Sequence, residues 1–260
     1  MLVLGQPGVT LLEADTDGVY FAVPGTWTET DERRVVSEVA ALLPPLVHLE
    51  FEGRYAAMLS HEPKNYALLH YDGTLSLKGV AFRSSRAEPF GETFLRRAIE
   101  RLLRSDITGV RDAYLDCVFA LRRRELPTFD VSSRVRLTKT PAEYLAVRET
   151  RRELTYEALL ASSRTTWSLG ERVRVYRTAN GTGGVVPDPD DENVTPSDAA
   201  SADRRDYDVD HYVRVLRDNF ASRLERAFAP EDCAAVFADP EQPSLFARDV
   251  SDIRSELRTV

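Results

Sequence analysis

The residues of this chain with the clearest potential for chemistry are Asp15 and Asp17, which lie in the stretch LLEADTDGVYFAVP between two runs of strand-forming residues. Side chains two positions apart on an extended chain point to the same face, so both carboxylates could bind one hard cation. Gly18 would let the turn close tightly. The alternative is an ordinary acidic turn, in which the carboxylates accept hydrogen bonds from nearby backbone amides.

The elements that would position these carboxylates form two unlike halves of the chain. Strand-like runs on both sides of the aspartates, a helical pattern over residues 29–43 and further extended stretches come first, and Asp72-Gly73 predicts a tight hairpin turn. Beyond residue 88, apolar residues recur at three- and four-residue steps, which predicts helices. The patterns predict an α+β fold, with an antiparallel sheet followed by a mostly helical part whose helices fall within residues 91–105, 110–126, 141–163 and 207–228.

Charge is distributed unevenly along the 260 residues, whose net charge is −8. Residues 187–208 carry a net charge of −6, and we expect a mobile acidic loop over residues 180–205 because large apolar residues are scarce there. Residues 93–177 carry a net charge of +7, almost entirely from arginine. This basic region suits a surface that faces phosphates, although a set of solvated helix faces would give the same composition.

The cysteines and the hydropathy of the chain indicate in which compartment we expect the protein. Cys117 and Cys233 are the only cysteines, and they have no metal-ligand spacing. No apolar run approaches the length of a membrane span, and no charged and apolar leader precedes the first strand. We therefore expect a cytoplasmic protein with no membrane partner.

The aspartate motif resembles motif C of the family B DNA polymerases, in which a strand, Asp-Thr-Asp, a small residue and a second strand follow one another. Three further stretches are similar to that family in the same order. They are KNY at residues 64–66, similar to a Lys-x-Tyr motif on a palm strand; LKGVAFRSSRAEPF at residues 77–90, similar to the end of the palm; and residues 206–228, similar to a late thumb helix. The chain departs from the family at Glu13, where a tyrosine is usual.

The resemblance implies a division into palm and thumb. Residues 1–88 would be the C-terminal half of the palm, residues 89–249 the thumb and residues 250–260 a tail. Asp15 and Asp17 would be the catalytic carboxylates and would hold Mg²⁺. Nucleotidyl transfer uses two cations about 3.5 to 4 Å apart, and one hairpin cannot hold both.

The family's second metal-binding aspartate and its nucleotide-gripping lysine helix have no counterpart in this sequence. The resemblance therefore implies a partner chain that supplies the N-terminal part of the polymerase, and predicts that this chain is inactive alone. The complete enzyme would act on primer-template DNA and deoxynucleoside triphosphates. The alternative is a polymerase remnant that binds DNA as a non-catalytic accessory protein; a metal-dependent hydrolase fits less well, because no general base accompanies the aspartates.

Five residues are expected to contact DNA. The resemblance implies that Lys64 and Tyr66, which would point to the same side of one strand, grip the primer. A lysine can reach base acceptors in the minor groove, and a tyrosine hydroxyl can donate to a phosphate. Lys78, Arg83 and Arg86 would add contacts at the end of the palm. The alternative is a surface lysine beside a half-buried tyrosine.

The stretch QPSLF near the end of the chain resembles the short peptides by which bacterial polymerases bind their sliding clamp. Leu245 and Phe246 could fill an apolar cleft, while Gln242 would pair in a polar pocket. The sequence therefore predicts a sliding clamp as a partner. The alternative is that Leu245 and Phe246 pack on the last thumb helix.

Overall fold

A computed structural model of the chain describes residues 8–14, 18–44, 46–82, 84, 86–188, 203–241 and 248–255. Its elements are short antiparallel sheets combined with helices, which confirms the predicted α+β fold class. Within these described residues, no helix is long and apolar enough to cross a membrane.

A two-stranded hairpin and a helix come first. Strands β1 (Thr10–Ala14) and β2 (Val19–Ala22) pair antiparallel, and helix α1 (Glu29–Ala40) follows. The helix begins with a capping box, in which the Asp31 carboxylate accepts hydrogen bonds from the backbone amide of Thr28 at 2.9 Å and from its hydroxyl at 2.7 Å. These bonds satisfy the amide of Thr28, the residue that precedes the helix.

The second sheet contains strands β3 (Ala57–Glu62), β4 (Asn65–Leu69) and β5 (Leu75–Lys78), paired antiparallel in that order. Gly73 lies in the turn between β4 and β5 with a φ of +85°, and the Asp72 carboxylate accepts a hydrogen bond from the amide of Thr74. The predicted hairpin turn is confirmed. Glycine suits it because a positive φ costs glycine little.

The first of two long helices packs against this sheet, and the second packs against the first. Helix α2 (Pro89–Leu103) begins with a proline, which has no amide to leave unpaired, and α3 (Ile107–Arg122) is capped by the Asp106 carboxylate at the amide of Gly109. Their apolar stripes form the larger core together with sheet residues on the other side of residue 88. Its members include Leu59, Leu69, Leu77, Phe94, Leu95, Ile99, Leu102, Tyr114 and Val118.

A third sheet lies in the half of the chain that we expected to be mostly helical. Strands β6 (Ser133–Arg136), β7 (Arg172–Arg177) and β8 (Gly183–Val186) pair antiparallel. Strand β8 falls inside residues 180–205, so the expectation that this whole segment is a loop is wrong. Its four residues gain backbone hydrogen bonds by pairing with β7, which a short Gly-Gly-Val-Val stretch does not reveal on its own.

The third sheet and two helices enclose a second, smaller core. Helices α4 (Pro141–Val147) and α5 (Leu154–Ala161) lie between β6 and β7 in the chain. Tyr144 stacks on Tyr156 with ring centroids 4.6 Å apart, and Trp167 packs beside them.

The last predicted helix is divided into three parts. Helix α6 (Val209–Val215) continues into a π-helical turn (Leu216–Phe220) and then a 3₁₀ segment (Ala221–Ala227). Helix α7 (Pro230–Val236) and a short 3₁₀ turn (Val250–Asp252) complete the described chain. The larger core includes residues of these elements and extends to Ile253, so it joins the sheet before residue 88 to the later helices. The division at residue 88 stays a prediction.

The two cysteines are packed thiols. Burial raises the pKa of Cys117 to about 12 and that of Cys233 to about 11. At neutral pH both are protonated, and a protonated thiol is a poor nucleophile.

Candidate functional site

Glu13 joins the β1–β2 hairpin to the second sheet. Its side chain is buried, with one carboxylate oxygen accepting a hydrogen bond from the Ser60 hydroxyl at 2.7 Å and the other from the backbone amide of Lys64 at 2.9 Å. Hydrogen bonds to a carboxylate are stronger than those between neutral groups. The glutamate that departs from the family pattern is therefore a fixed attachment point for the hairpin.

A pair of tyrosines forms a second contact between the hairpin and the sheet. The hydroxyls of Tyr20 and Tyr66 lie 3.0 Å apart, and their ring centroids 5.0 Å apart. Burial and the hydrogen bond to Tyr66 raise the pKa of Tyr20 well above its usual value of 10. The Tyr20 hydroxyl therefore stays protonated at neutral pH.

These two contacts fix the position of the strand ends on either side of the aspartate motif. Ala14 is paired with Val19, so the residues between them connect the neighbouring ends of β1 and β2. Asp15 and Asp17 themselves lie outside the described residues. The ends of their segment are held close to the turn that contains Lys64, because Glu13 precedes Ala14 and is bonded to that turn.

Lys64 lies in the turn before β4 and has a φ of +66°. The expectation that Lys64 and Tyr66 lie on one strand face is therefore wrong, because alternation between faces holds only along extended backbone. Gly79 makes this turn possible. A side chain at Gly79 would collide with the backbone carbonyl of Lys64 and the side-chain amide of Asn65.

Lys78 and Tyr66 are directly opposite each other on β5 and β4. Side chains of opposed residues in an antiparallel pair share one face. Lys78 is exposed and Tyr66 half-buried, so the structure brings together two of the five residues expected to contact DNA.

Arg86 lies beside strand β6 of the third sheet. It is exposed, and its carbonyl accepts a hydrogen bond at 3.0 Å from the amide of Arg134 on β6. A cleft with a volume of about 100 Å³ is lined by Arg86, Arg134, Arg136 and Arg172. Arg83 lies outside the described residues.

Metal binding depends on residues for which the structure gives no positions. Across the described residues, no group of three or more His, Cys, Asp or Glu could hold a metal ion. The nearest described carboxylate along the chain, that of Glu13, is already used by Ser60 and Lys64. Asp15 and Asp17 carry the oxygen ligands that Mg²⁺ prefers, but they would need ligands from elsewhere to complete a two-metal site.

The expected clamp-binding residues Gln242, Leu245 and Phe246 also lie outside the described residues. The chain just before them is fixed, because the Arg122 guanidinium donates to both carboxylate oxygens of Asp239 at 2.8 and 2.9 Å. The clamp motif stays a prediction.

Sequence reasoning missed Glu13, Tyr20 and the arginine cleft. For the cleft, a pattern was available, because arginine alternates with an apolar residue in SRVR and in RVRVYR. Alternation with a period of two predicts a strand with one charged and one apolar face. For Glu13 and Tyr20 the sequence carries no comparable pattern, because their partners are 46 to 51 positions away.

Comparison with known proteins identifies relatives. No family model matches the chain. It is 28% identical over 146 residues to a DNA polymerase of Methanocaldococcus jannaschii, covering 53% of this chain and 9% of that protein. It is 22% identical over 230 residues to a DNA polymerase of Thermococcus sp. (strain 9oN-7), covering 85% of this chain and 28% of that protein.

A solved structure shows the same fold. The family B DNA polymerase from the hyperthermophilic archaeon Pyrobaculum calidifontis matches 86% of this chain with a TM-score of 0.57 at 19% identity, and 27% of that polymerase is covered. The chain thus spans well under a third of each of these three proteins. With these relatives and this fold, the chain is related to the archaeal family B DNA polymerases and matches only part of the length of each.

Proposed function

We propose that the chain is the C-terminal palm and thumb part of a family B DNA-directed DNA polymerase. In this role Asp15 and Asp17 hold the catalytic Mg²⁺, and the basic region of residues 93–177 binds primer-template DNA. The observation that carries the proposal is the attachment of the β1–β2 hairpin to the turn before β4 through Glu13. It places the ends of the motif C-like segment beside the Lys-x-Tyr-like segment, although the two are far apart in sequence.

The aspartates, lysines and tyrosine of the candidate site would have separate roles. Bound Mg²⁺ would stabilise the charge that develops on the transferred phosphoryl group, and Asp15 and Asp17 would hold it. Lys78 is exposed on the face that it shares with Tyr66. Lys64 and Lys78 would add positive charge next to the primer, and Tyr66 would help to fix the sheet surface on which the primer lies.

The proposal requires a second polypeptide or a further segment. The aspartates of one hairpin supply one of the two carboxylate elements that a two-metal site needs. The partner would contribute the other aspartate and the contacts to the deoxynucleoside triphosphate. We therefore expect no primer extension from the 260 residues alone.

The test combines the chain with a complementing N-terminal polymerase chain and measures Mg²⁺-dependent nucleotide incorporation and DNA binding in parallel. Asp17→Asn should lower incorporation by several orders of magnitude and leave DNA binding nearly unchanged, because it removes a metal ligand and no phosphate contact. Asp116→Asn is the matched control, since Asp116 is exposed on α3 and is not part of the hairpin.

Three outcomes would count against parts of the proposal. Robust incorporation by the isolated chain would overturn the need for a partner. Equal losses of incorporation and DNA binding in Asp17→Asn would contradict the metal-binding role. DNA binding without incorporation in any combination would favour the alternative of a non-catalytic DNA-binding accessory protein.

A sliding clamp is the further partner that we propose, through Gln242, Leu245 and Phe246. Burial of two large apolar side chains would contribute roughly 1.5 to 3 kcal/mol each. Replacing Leu245 and Phe246 by alanine should abolish binding to the host clamp with little change in melting temperature. A large drop in melting temperature with clamp binding intact would show that both residues belong to the core instead.

A further inference from the structure

Strands β6 and β7 carry four arginines on one face. The register opposes Arg134 to Arg174 and Arg136 to Arg172, whereas Val135 opposes Val173. Val173 is buried in the smaller core and Val135 packs against it, so the arginines lie on the opposite face. Like charges directly opposite on neighbouring strands are destabilising. The opposed pair of Arg136 and Arg172 therefore carries an electrostatic cost that a bound anion would reduce.

These arginines also form a cleft. Arg134, Arg136 and Arg172 line it together with Arg86, which the backbone hydrogen bond from Arg134 holds in place. Its volume is about 100 Å³. A single water needs about 10 to 15 Å³ by this kind of measure, so the cleft has room for an anion of several atoms.

Among the described residues, one carboxylate, that of Asp188, pairs with arginines of this face. Asp188 lies 2.9 Å from the Nε atom of Arg134 and 3.6 Å from that of Arg174, and its side chain is nearly buried between them. In the part of the chain that the structure describes, no carboxylate forms an ion pair with Arg86, Arg136 or Arg172. The guanidiniums of these three residues are the ones that a ligand would neutralise.

The chemistry of guanidinium groups selects the ligand. Each presents several N–H donors in a planar fork that matches two oxygens of a carboxylate or a phosphate. A single carboxylate has two oxygens and one charge, whereas a phosphate group offers more acceptor oxygens and, as a monoester or pyrophosphate, more charge. Four converging guanidiniums fit the phosphate group better.

We propose that Arg86, Arg134, Arg136 and Arg172 form a binding site for a phosphate group. The group could come from free pyrophosphate or inorganic phosphate, or from the backbone of a nucleic acid. Only the nucleic-acid source rests on the proposed function. The arginine cleft requires neither Asp15, Asp17 nor a partner chain, so it can be tested on the full chain alone.

The experiment titrates the full chain with inorganic phosphate and with pyrophosphate by calorimetry, and with a short DNA duplex by fluorescence anisotropy. The test variant is Arg136→Gln/Arg172→Gln. Both side chains are exposed, and the change removes one opposed like-charge pair, so the melting temperature should stay equal or rise. Arg86→Gln is a second test variant on a different element.

The control variant is Arg204→Gln/Arg214→Gln, which changes the net charge equally. Both residues are exposed, and neither lines the arginine cleft. The test variants should weaken the binding of at least one probe by tenfold or more relative to this control.

Each result decides the question. A loss confined to phosphate and pyrophosphate would identify a free phosphate as the ligand, and a loss confined to the duplex would identify the nucleic-acid backbone. If the test variants and the control bind all three probes equally, or if the parent chain binds none, the proposal is overturned. A failure of Asp17→Asn in the polymerase assay would leave these results unaffected, so the two proposals can fail separately.

Discussion

At the scale of single residues, Glu13 is the side chain whose replacement we expect to have the clearest effect on the site. It is buried, and both of its carboxylate oxygens accept hydrogen bonds. Glu13→Gln should lower the free energy of unfolding by about 1 to 3 kcal/mol, because the amide nitrogen cannot accept the bond that one oxygen accepted. Urea denaturation measures the change.

The control for Glu13→Gln is Glu62→Gln at the exposed end of β3. Its effect should stay within about 0.5 kcal/mol. If both variants lose the same stability, the attachment of the hairpin through Glu13 contributes nothing specific. A larger loss for Glu13 alone would support the attachment on which the proposed site depends.

Glu157 should make the stability of the smaller core depend on pH. The Arg148 guanidinium, together with the Tyr144 hydroxyl, lowers the pKa of Glu157 from its ordinary value of 4.5 to about 2. Because the pKa is lower in the folded chain, the stabilisation is complete above the unfolded value and is lost as the pH falls through the folded value. The window is therefore between pH 4.5 and about 2.

Glu157→Gln should be less stable than the parent chain at about pH 6, and the difference should shrink as the pH falls through the window. Urea denaturation at a series of pH values measures this convergence. Glu50→Gln, at an exposed position outside any helix or strand, should show no such trend. A constant difference at every pH would contradict the assigned role of Glu157.

At the scale of elements, sequence patterns predicted whatever depends on neighbours along the chain. The turn at Asp72-Gly73 and the helices α2 and α3 follow from local preferences and from apolar periodicity, and all three are present. The third sheet was missed because β6 has only four residues and its partner β7 lies beyond two helices. Pairing between such distant short strands depends on packing that periodicity does not describe.

The end of the chain shows the same limit. An apolar stripe predicted one continuous helix, but the segment passes through a π-helical turn at Leu216–Phe220. The Phe220 ring packs at 5.9 Å from that of Phe90, over the position where Gly91 has no side chain. The absence of a side chain at Gly91 therefore lets the π-helical turn pack closely against α2.

Gly91→Ala tests that contact. Alanine usually stabilises a helix relative to glycine by about 1 kcal/mol, but here its methyl group would overlap the Phe220 ring. Overpacking typically costs about 1 to 3 kcal/mol, so we expect a net loss of stability. Thermal unfolding measures it.

Gly53→Ala is the comparison for Gly91→Ala. A methyl group at Gly53 would meet only the Tyr55 side chain, at ordinary contact distances of 3.6 and 3.8 Å. Its melting temperature should be unchanged or slightly higher. If Gly91→Ala is also neutral, α2 and the π-helical turn can separate without cost, and the close contact is not needed for stability.

At the scale of the whole molecule, the sequence predicted the relationship to DNA polymerases but not the geometry of the candidate site. Lys78 and Tyr66 share a face as sheet pairing requires, but Lys64 leaves the strand and Arg86 joins another group. Both differences arise from contacts across the chain: the Glu13 carboxylate holds the Lys64 turn, and the amide of Arg134 binds the Arg86 carbonyl. A linear pattern does not contain such contacts.

The charge of the whole chain is partly cancelled by internal pairs. Asp208 at the described end of the acidic segment pairs with Arg177 at 3.0 Å, and Asp188 at its other described end pairs with Arg134 at 2.9 Å. The acidic residues 187–208 thus neutralise part of the positive charge of residues 93–177. The net charge of +7 over residues 93–177 is therefore an upper bound on what that region can offer to phosphates.

Duplex DNA binding by the full chain should nevertheless depend steeply on salt and little on sequence. Cations released from the phosphates make the logarithm of affinity fall linearly with that of salt concentration, by about 0.9 for each phosphate neutralised. Fluorescence anisotropy between about 50 and 200 mM salt, without Mg²⁺, measures the slope. Because part of the charge is paired internally, the slope should indicate fewer neutralised phosphates than residues 93–177 have arginines and lysines. Two duplexes of equal length and unrelated sequence should bind equally well, since contacts with phosphates carry no sequence information. An affinity that does not change with salt would show that the arginines are only a solvated surface, and a strong preference between the duplexes would require contacts with base edges.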